Sequence, residues 1–221
     1  KVQLRWLPFA RDYKKAYDND RGSNTGGMGA FAPLTEMSFW QKRFVYRVVG
    51  QRLLNSMAAM GIPYNGILYP GLVLTRPIQV YEFNARWGDP EAQTHVCLLK
   101  TDLFKIFESV VHPQAHIPAL RWRKGFAVCV VLASEGYGNA SEFPRVPIHG
   151  LEDAEQVDNV VIYHAGTELR NGVFYTNGGR VLSVTAWGRT LEEARDQAYY
   201  AVNFISFQGM QYRTDIALRT S

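Results

Sequence analysis

The 221-residue chain has few of the residues that announce chemistry on their own: two cysteines and five histidines. Cys97 and Cys129 lack the close paired spacing of a zinc ligand set, and one distant pair makes no disulfide framework. Buried, reduced thiols are expected, and with them a cytoplasmic setting. Of His95, His112, His116, His149 and His164, only the second and third lie close together, and Pro113 stands between them. None takes a catalytic role in this reading, and no serine has a nucleophile context, so a triad hydrolase is not supported. No apolar run approaches the length of a membrane span: "FAVCVVLA", residues 126–133, has the length of a buried strand. No charged-then-apolar leader opens the chain, so secretion is not expected. Basic charge is not concentrated either. The formal balance is +4, with no Lys/Arg run longer than two before "RWRK" at 121–124. This argues against a nucleic-acid partner and suits a small anionic substrate.

What is present is ordinary globular material, with 47% hydrophobic and 20% charged residues, enough for one large or two small domains. The opening "KVQLRWLPFA" reads as a strand already under way. Residues 11–33 form a long Gly- and Asp-rich loop, a length that in compact domains is often functional. From Thr35 to Met60 apolar residues fall at helical steps, and Gly61 and Pro63 supply the stop. Strands are expected at 66–74 and 78–84, antiparallel, joined through "TRP" at 75–77. Asp89 then caps a helix with Pro90 at its first position, running to about Val111. "HPQAHIPAL", residues 112–120, reads as a domain boundary. Beyond it come short strands at 126–133, 146–149, 159–165, 172–176 and 180–186, with hairpin signals at "RNG" (170–172) and "NGG" (177–179). A helix follows from the capping box "TLEE" at Thr190 to about Phe207, and "QYRTDIALR" is a candidate final strand.

The stretch "YEFNARWGDPEAQ", residues 81–93, is dense in polar chemistry. On a strand, Glu82 and Asn84 point to one face, shared with Ile78 and Val80. A carboxylate and an amide oxygen at a strand end are hard donors of the kind Mg²⁺ takes, with water and phosphate filling its octahedron. The spacing alone leaves open a strand that simply emerges into solvent. Arg86 could clamp a carboxylate or phosphate through parallel hydrogen bonds, and Asp89 could be no more than a helix cap. The loop "NTGGMG", 24–29, could approach a ligand closely and turn successive N–H groups toward an anion; a flexible turn is the alternative. Asp20 could bond an amine or a ribose hydroxyl, and Lys14 and Lys15 could face a phosphate.

Taken in order, "GSNTGGMGAFAP", "NGILYPGLVL", "VYEFNARWGDPEAQ", "YHAGT" and "TNGGRVLSVTAWGRTLEEAR" resemble the phosphoribosylamine–glycine ligase family of the ATP-grasp superfamily, nearly end to end. The resemblance implies an α+β fold: the second part of an ATP-grasp domain (1–112), an antiparallel sheet with helices, then a small β-rich C-terminal domain (118–221). It implies ATP-dependent joining of glycine to 5-phosphoribosylamine through a glycyl phosphate, with ATP, glycine and phosphoribosylamine as small-molecule partners and no nucleic acid or membrane. Glu82 and Asn84 match the family's Mg²⁺ (or Mn²⁺) ligands. Asn24, Thr25, Gly26, Gly27, Met28 and Gly29 match the loop around the ribonucleotide. Arg86, the catalytic candidate, and Asp89 fall where the family contacts substrate groups, and Asp20 joins the substrate set. The family's N-terminal half has no counterpart here, which implies a piece whose missing half is its partner and which has no ligase activity alone. Departures from the family pattern are Tyr13, Ser23, Trp87 and the stretch 135–147. An inactive binding or scaffold module derived from the same fold is the competing reading.

Overall fold

A computed structural model describes residues 4–112 and 115–218. In chain order it has β1 (Arg11–Asp12), β2 (Lys15–Tyr17), β3 (Arg21–Asn24) and β4 (Gly29–Ala32), then α1 (Phe39–Phe44), a π-helical segment (Val45–Gln51) and α2 (Arg52–Ala59). Strands β5 (Tyr69–Val73) and β6 (Gln79–Asn84), helices α3 (Glu91–Leu98) and α4 (Leu103–Val111) and strand β7 (Phe126–Ala133) follow. The remainder is α5 (Leu151–Glu155), β8 (Val160–His164), β9 (Thr167–Arg170), β10 (Val173–Thr176), β11 (Arg180–Gly188) and α6 (Leu191–Val202). No helix among the described residues is long and apolar enough to cross a membrane.

Contacts gather these elements into two compact units that interleave along the chain. One holds the residues up to Leu7, Leu34–Gly88 and Leu99–Trp122; the other holds Pro8–Pro33, Asp89–Leu98 and everything from Arg123. The expected division near 112–118 therefore does not coincide with the packing, because strands β1 and β4 and helix α3 belong to the same sheet core as β7 and β11.

In the first unit the expected helical run forms, but not at steps of four throughout: residues 45–51 wind as a π-helix, and of the expected apolar positions Val45 and Val49 are buried while Trp40, Phe44 and Val48 are exposed. Ser38 and Gln41 cap it reciprocally. It closes in a Schellman motif, with Gly61 N–H donating to Ala58 O and Ile62 N–H to Met57 O. Gly61 takes the left-handed φ of 79° that this ending needs. The expected opening strand is not there: residues 4–10 have no ladder, and the first three positions lie outside the described residues. Trp6 instead stacks on Tyr46 with ring centroids 4.2 Å apart, and Pro8 has no N–H to donate. Strands β5 and β6 pair antiparallel as expected. The expected single helix 89–111 is two helices. Leu99 bridges to Trp122, and Asp102 starts α4 afresh by accepting from the amides of Phe104 and Lys105. Of the predicted boundary segment, residues 113 and 114 lie outside the described chain.

The second unit is a five-stranded sheet in the order β1-β4-β7-β11-β8, antiparallel at each pairing. Every residue of β7 from Ala127 on is buried, which accounts for its unbroken apolar sequence: α3 and α6 both pack on it. Helix α6 presents Leu191, Ala194, Ala198, Ala201 and Val202, a stripe of mostly small residues at helical steps. Its cap is Thr190, which accepts from Glu193 N–H; the Glu193 carboxylate reaches the amide of Arg189 rather than that of Thr190. The helix ends at Val202, short of Phe207. Cys97 and Cys129 are free, and burial pushes the Cys129 thiol up to about 12, that of an inert core residue.

Four further expectations give way here. Residues 11–33 are not an irregular loop but four short strands. Asn19 and Asp20, with φ of 58° and 52°, make the tight turn of the β2–β3 hairpin. Residues 146–149 hold only isolated bridges, Pro147 to Tyr175 and His149 to Ser206. "TELR", unremarked in the sequence, is strand β9, and it is the partner of β10 across the 170–172 turn; "NGG" at 177–179 joins two strands that do not pair. The terminal segment contributes one bridge, Gln211 to Ala133, and is otherwise held by side chains; its residue 219 is outside the described chain.

Candidate functional site

Strand β6 is an exposed strand. Residues 79–83 are all open to solvent, and only Asn84 is partly covered. Glu82 pairs across the hairpin with Gly71 and Asn84 with Tyr69. The register slips between Gly71 and Leu72, leaving Tyr81 as the extra residue of a bulge. The bulge interrupts the alternation between Val80 and Glu82, so the face expected to carry Ile78, Val80, Glu82 and Asn84 together is continuous only from Glu82 to Asn84. Those two positions keep the two-residue spacing that places both side chains on one side of the strand.

The donor set suits a hard divalent cation. Asn84 Nδ2 donates to Tyr69 O at 3.4 Å, and Oδ1 takes no hydrogen bond among the described residues. No hydrogen bond or ion pair engages the Glu82 side chain among the described residues, and no group of three or more His, Cys, Asp or Glu capable of caging a metal exists among them. One carboxylate with one amide oxygen is the sparse protein contribution Mg²⁺ accepts when water and phosphate complete its shell. Two residues on, Arg86 is exposed; its Nη1 donates to Trp87 O at 2.8 Å.

The second unit carries the remaining candidates. Around "NTGGMG" the backbone donors are already used. Thr25 N–H donates to Lys14 O and Met28 N–H to Tyr13 O. Gly26 N–H donates to the Tyr137 hydroxyl at 3.0 Å and Gly27 N–H to Thr25 Oγ1 at 3.0 Å. The anion-binding nest expected of this loop is therefore not formed, because its amides are satisfied within the protein. The glycines serve close packing instead. A Cβ on Gly27, whose φ is 120°, would lie 2.5 Å from Pro90 Cδ and 2.8 Å from Asp12 Oδ1. One on Gly29 would lie 2.6 Å from Cys129 O. Met28 and Gly29 are buried in the sheet, so Asn24, Thr25 and Gly26 are the part of the loop that solvent reaches.

Asp89 is not the backbone cap expected of it; its carboxylate accepts from side chains instead. Its Oδ2 is paired with Arg180 Nη2 at 2.8 Å, its Oδ1 accepts from Gln93 Nε2 at 2.9 Å, and α3 begins only at Glu91. Arg180 also donates Nη1 to Asp89 O and to Gly26 O, so one guanidinium ties the loop to the turn before α3. Asp20, expected to face a substrate amine or hydroxyl, accepts from Arg213 Nη1 at 2.9 Å. Arg213 is 1% exposed and makes a two-pronged pair with Asp215 at 2.7 Å on each arm.

Sequence reasoning missed Arg180, Tyr137, Asp12 and Glu91. Asp12 is a largely buried carboxylate whose Oδ2 lies 2.6 Å from Lys14 Nζ, while Oδ1 has no hydrogen-bond partner. Burial first, and then the negative charge of Glu91, push its carboxyl up to about 7, against the pull of Lys14 and Arg180. Glu91 is 4% exposed, and its Oε2 is likewise unpartnered. The signal available in the sequence was an acidic residue directly after "DP" and another within "RDYKK", but nothing local says that the fold joins them.

The family profile described as "Phosphoribosylglycinamide synthetase, ATP-grasp (A) domain" matches residues 2–92, and that described as "Phosphoribosylglycinamide synthetase, C domain" matches residues 127–219. A phosphoribosylamine–glycine ligase of Caldanaerobacter subterraneus is 41% identical over 94% of this chain and 49% of its own length. The trifunctional purine biosynthetic protein adenosine-3 of Gallus gallus is 42% identical over 99% of the chain and 22% of its own length. The crystal structure of the Thermotoga maritima phosphoribosylamine–glycine ligase superposes with a TM-score of 0.82 at 35% identity, covering 95% of this chain and 51% of that one. Its N5-carboxyaminoimidazole ribonucleotide synthetase, at 17% identity and a TM-score of 0.56, shares the ATP-grasp fold. The chain thus spans about half the length of the single-function ligases it matches. Two profiles of one family, met in order along the sequence, together with relatives above 40% identity, establish that the chain belongs to the phosphoribosylglycinamide synthetase family.

Proposed function

We propose that this chain supplies the second part of the ATP-grasp unit (1–112) and the C-terminal domain (118–221) of an ATP-dependent phosphoribosylamine–glycine ligase of the cytoplasm. The matched ranges 2–92 and 127–219 support that division. The reaction joins glycine to 5-phosphoribosylamine. Glycine's carboxylate oxygen takes the γ-phosphoryl group of ATP, releasing ADP. The amine nitrogen then attacks the glycyl carbon, and phosphate leaves. The observation that carries the reading is the Glu82–Asn84 pair at the end of β6: Glu82 is exposed with its carboxylate unengaged among the described residues, and Asn84 uses only its Nδ2, on Tyr69 O.

In this reading the Glu82 carboxylate and Asn84 Oδ1 would hold a divalent cation, Mg²⁺ or Mn²⁺. When bound, that cation supplies charge neutralisation to the phosphates. Arg86, with the donors not spent on Trp87 O, would orient a carboxylate or phosphoryl oxygen. In the second unit Asn24, Thr25 and Gly26 present the reachable edge of the ribonucleotide loop. Gly27, Met28 and Gly29 act from beneath it by fixing its path, Asp89 by its pair with Arg180, and Asp20 by anchoring Arg213 rather than by touching substrate. The remaining half of the family's chain is the expected partner. An inactive scaffold is the second reading, and the uncommitted Glu82 carboxylate argues against it. The test mixes the purified chain with a polypeptide equivalent to the other half of a relative and measures ADP formed with glycine and phosphoribosylamine. The chain alone is expected to be silent and the mixture active, with Glu82→Ala abolishing the signal. Turnover that survives Glu82→Ala would overturn the assignment of the pair.

A further inference from the structure

Among the described residues, the second unit buries two carboxylate oxygens without donors, and they belong to neighbouring acids on different elements: Asp12 Oδ1 on β1 and Glu91 Oε2 on the first residue of α3. A buried acceptor without a donor costs about 1–3 kcal/mol, more when charged, so such a pair signals a missing donor. We propose that Asp12 and Glu91 form the subsite for the ammonium group of a small amine substrate. The inference rests on the ligase reading above, in which both the amino acid and the phosphoribosyl substrate carry an amine, and it assigns that amine a place.

The chemistry of the pair selects a monocation. Asp12 and Glu91 bring two negative charges. Lys14 Nζ, 2.6 Å from Asp12 Oδ2, answers one of them, and the Arg180 guanidinium is already committed to Asp89. One negative charge is left over. A divalent cation would overshoot it, and no group of three or more metal-capable side chains stands among the described residues. An ammonium group carries one charge and three N–H donors, matching oxygens that accept and do not donate. The Gly27 backbone runs directly against Asp12: its absent Cβ would sit 2.8 Å from Asp12 Oδ1. A side chain there would press on this buried accepting oxygen, so glycine lets the loop assigned to the ribonucleotide pass beside it. Gln93 Oε1, on the same helix as Glu91, is a further buried acceptor without a partner.

Without an amine, a proton fills the deficit. The charged groups facing Asp12 are Glu91 from α3, which favours its protonated form, and Lys14 and Arg180, which oppose it; burial is the largest influence, and the carboxyl titrates at about 7. An arriving ammonium group therefore displaces a proton, and amine affinity rises with pH from about 6 to 8.

The test follows the side-chain carboxyl carbons by NMR in the 221-residue chain labelled at Asp and Glu. The probes are glycine, glycolate (hydroxyl in place of ammonium), ribose 5-phosphate, ammonium chloride, and ribose 5-phosphate with ammonium chloride, which form phosphoribosylamine in place. Saturable movement of the Asp12 and Glu91 signals with the amine-bearing probes, tighter at pH 8 than at pH 6, supports the subsite. Whether glycine or the phosphoribosylamine mixture moves them further identifies which amine it holds. Asp12→Asn and Glu91→Gln should each weaken the response by about tenfold, the loss expected of one charge-assisted hydrogen bond, with amide spectra that stay folded; either variant suffices if the other does not fold. Equal movement with glycolate, or none with any amine, overturns the proposal. If ribose 5-phosphate still shifts the amides of Asn24, Thr25 and Gly26 in that case, the subsite fails while the ligase reading stands. If no probe shifts any signal, both fall.

Discussion

Arg180 joins two segments that the chain keeps far apart, donating to Gly26 O, Asp89 O and Asp89 Oδ2. Its side chain is mostly covered, while that of Asp89 is 45% exposed, which places the pair between surface and buried cases. Arg180→Ala is expected to cost about 1–2 kcal/mol of stability in urea unfolding, and Arg180→Lys, which lacks the planar fork, to recover only part of it. The buried titratable groups set the pH profile. Asp12 has a folded-state pKa of about 7, above its ordinary 3.8. Its contribution is complete below the lower value and is lost as pH rises through about 7. Asp12→Asn should therefore flatten the decline in stability toward neutral pH. His95 runs the other way. Burial lowers its pKa to about 4 despite the hydrogen bond of Nε2 to Pro8 O, so its contribution is complete above about 6.5 and is lost as pH falls toward 4. Urea midpoints of the chain and of Asp12→Asn between pH 4 and 8 check both signs. At this scale the sequence shows placements made within one short stretch: the shared side of Glu82 and Asn84 is legible because the spacing of a strand is local. Asp12 with Glu91, and Gly26 with Arg180, are not, because each pair is made by sheet order rather than by spacing.

The element that the sequence concealed most is the terminal segment. Arg213 reaches Asp215, Asp20 and Lys15 O, its guanidinium lies 5.0 Å over the Tyr13 ring, and Ala217 N–H donates to the Tyr13 hydroxyl. Burial works against the Arg213 charge, but the bonds it donates to Asp215 and Asp20 outweigh this and hold its pKa above the usual value. The segment is thus bound to the β2–β3 hairpin by ions instead of a ladder, which is why a strand was expected and one isolated bridge is found. Arg213→Ala removes the cation from two carboxylates and is expected to destabilise the chain by about 3 kcal/mol, read as a lower urea midpoint with early loss of amide protection in residues 213–217. Helices were easier to read. The 39–59 run is helical as expected, though π-wound from Val45 to Gln51, and Ser38, Asp102 and Thr190 all cap as their side chains dictate. The predicted helix through 99–102 failed because its apolar pattern continues across a break that only the bridge to Trp122 and the Asp102 cap reveal. Residues 11–33 failed for the opposite reason: strands of two to four residues are too short to show a period.

At the scale of the molecule, the two units differ in how well they cover their apolar residues. The second buries its sheet on both faces at β7. The first leaves Trp40, Phe104 and Val111 more than 70% exposed, and Tyr81 and Phe83 on β6 about half exposed, an amount of bare apolar surface that ordinarily marks a contact face. With a chain about half the length of its relatives, the proposed occupant is the rest of the ligase, and the isolated chain should bind a hydrophobic dye such as ANS and lose that binding when the complementary half is added. The central claim is that Glu82 and Asn84 hold the divalent cation of a phosphoryl-transfer site, and paramagnetic broadening of the backbone amide spectrum by Mn²⁺ tests it most directly. The account predicts broadening centred on residues 82–84, reversed by excess Mg²⁺ and lost in Glu82→Ala. Broadening centred elsewhere, or unchanged in Glu82→Ala, would contradict it.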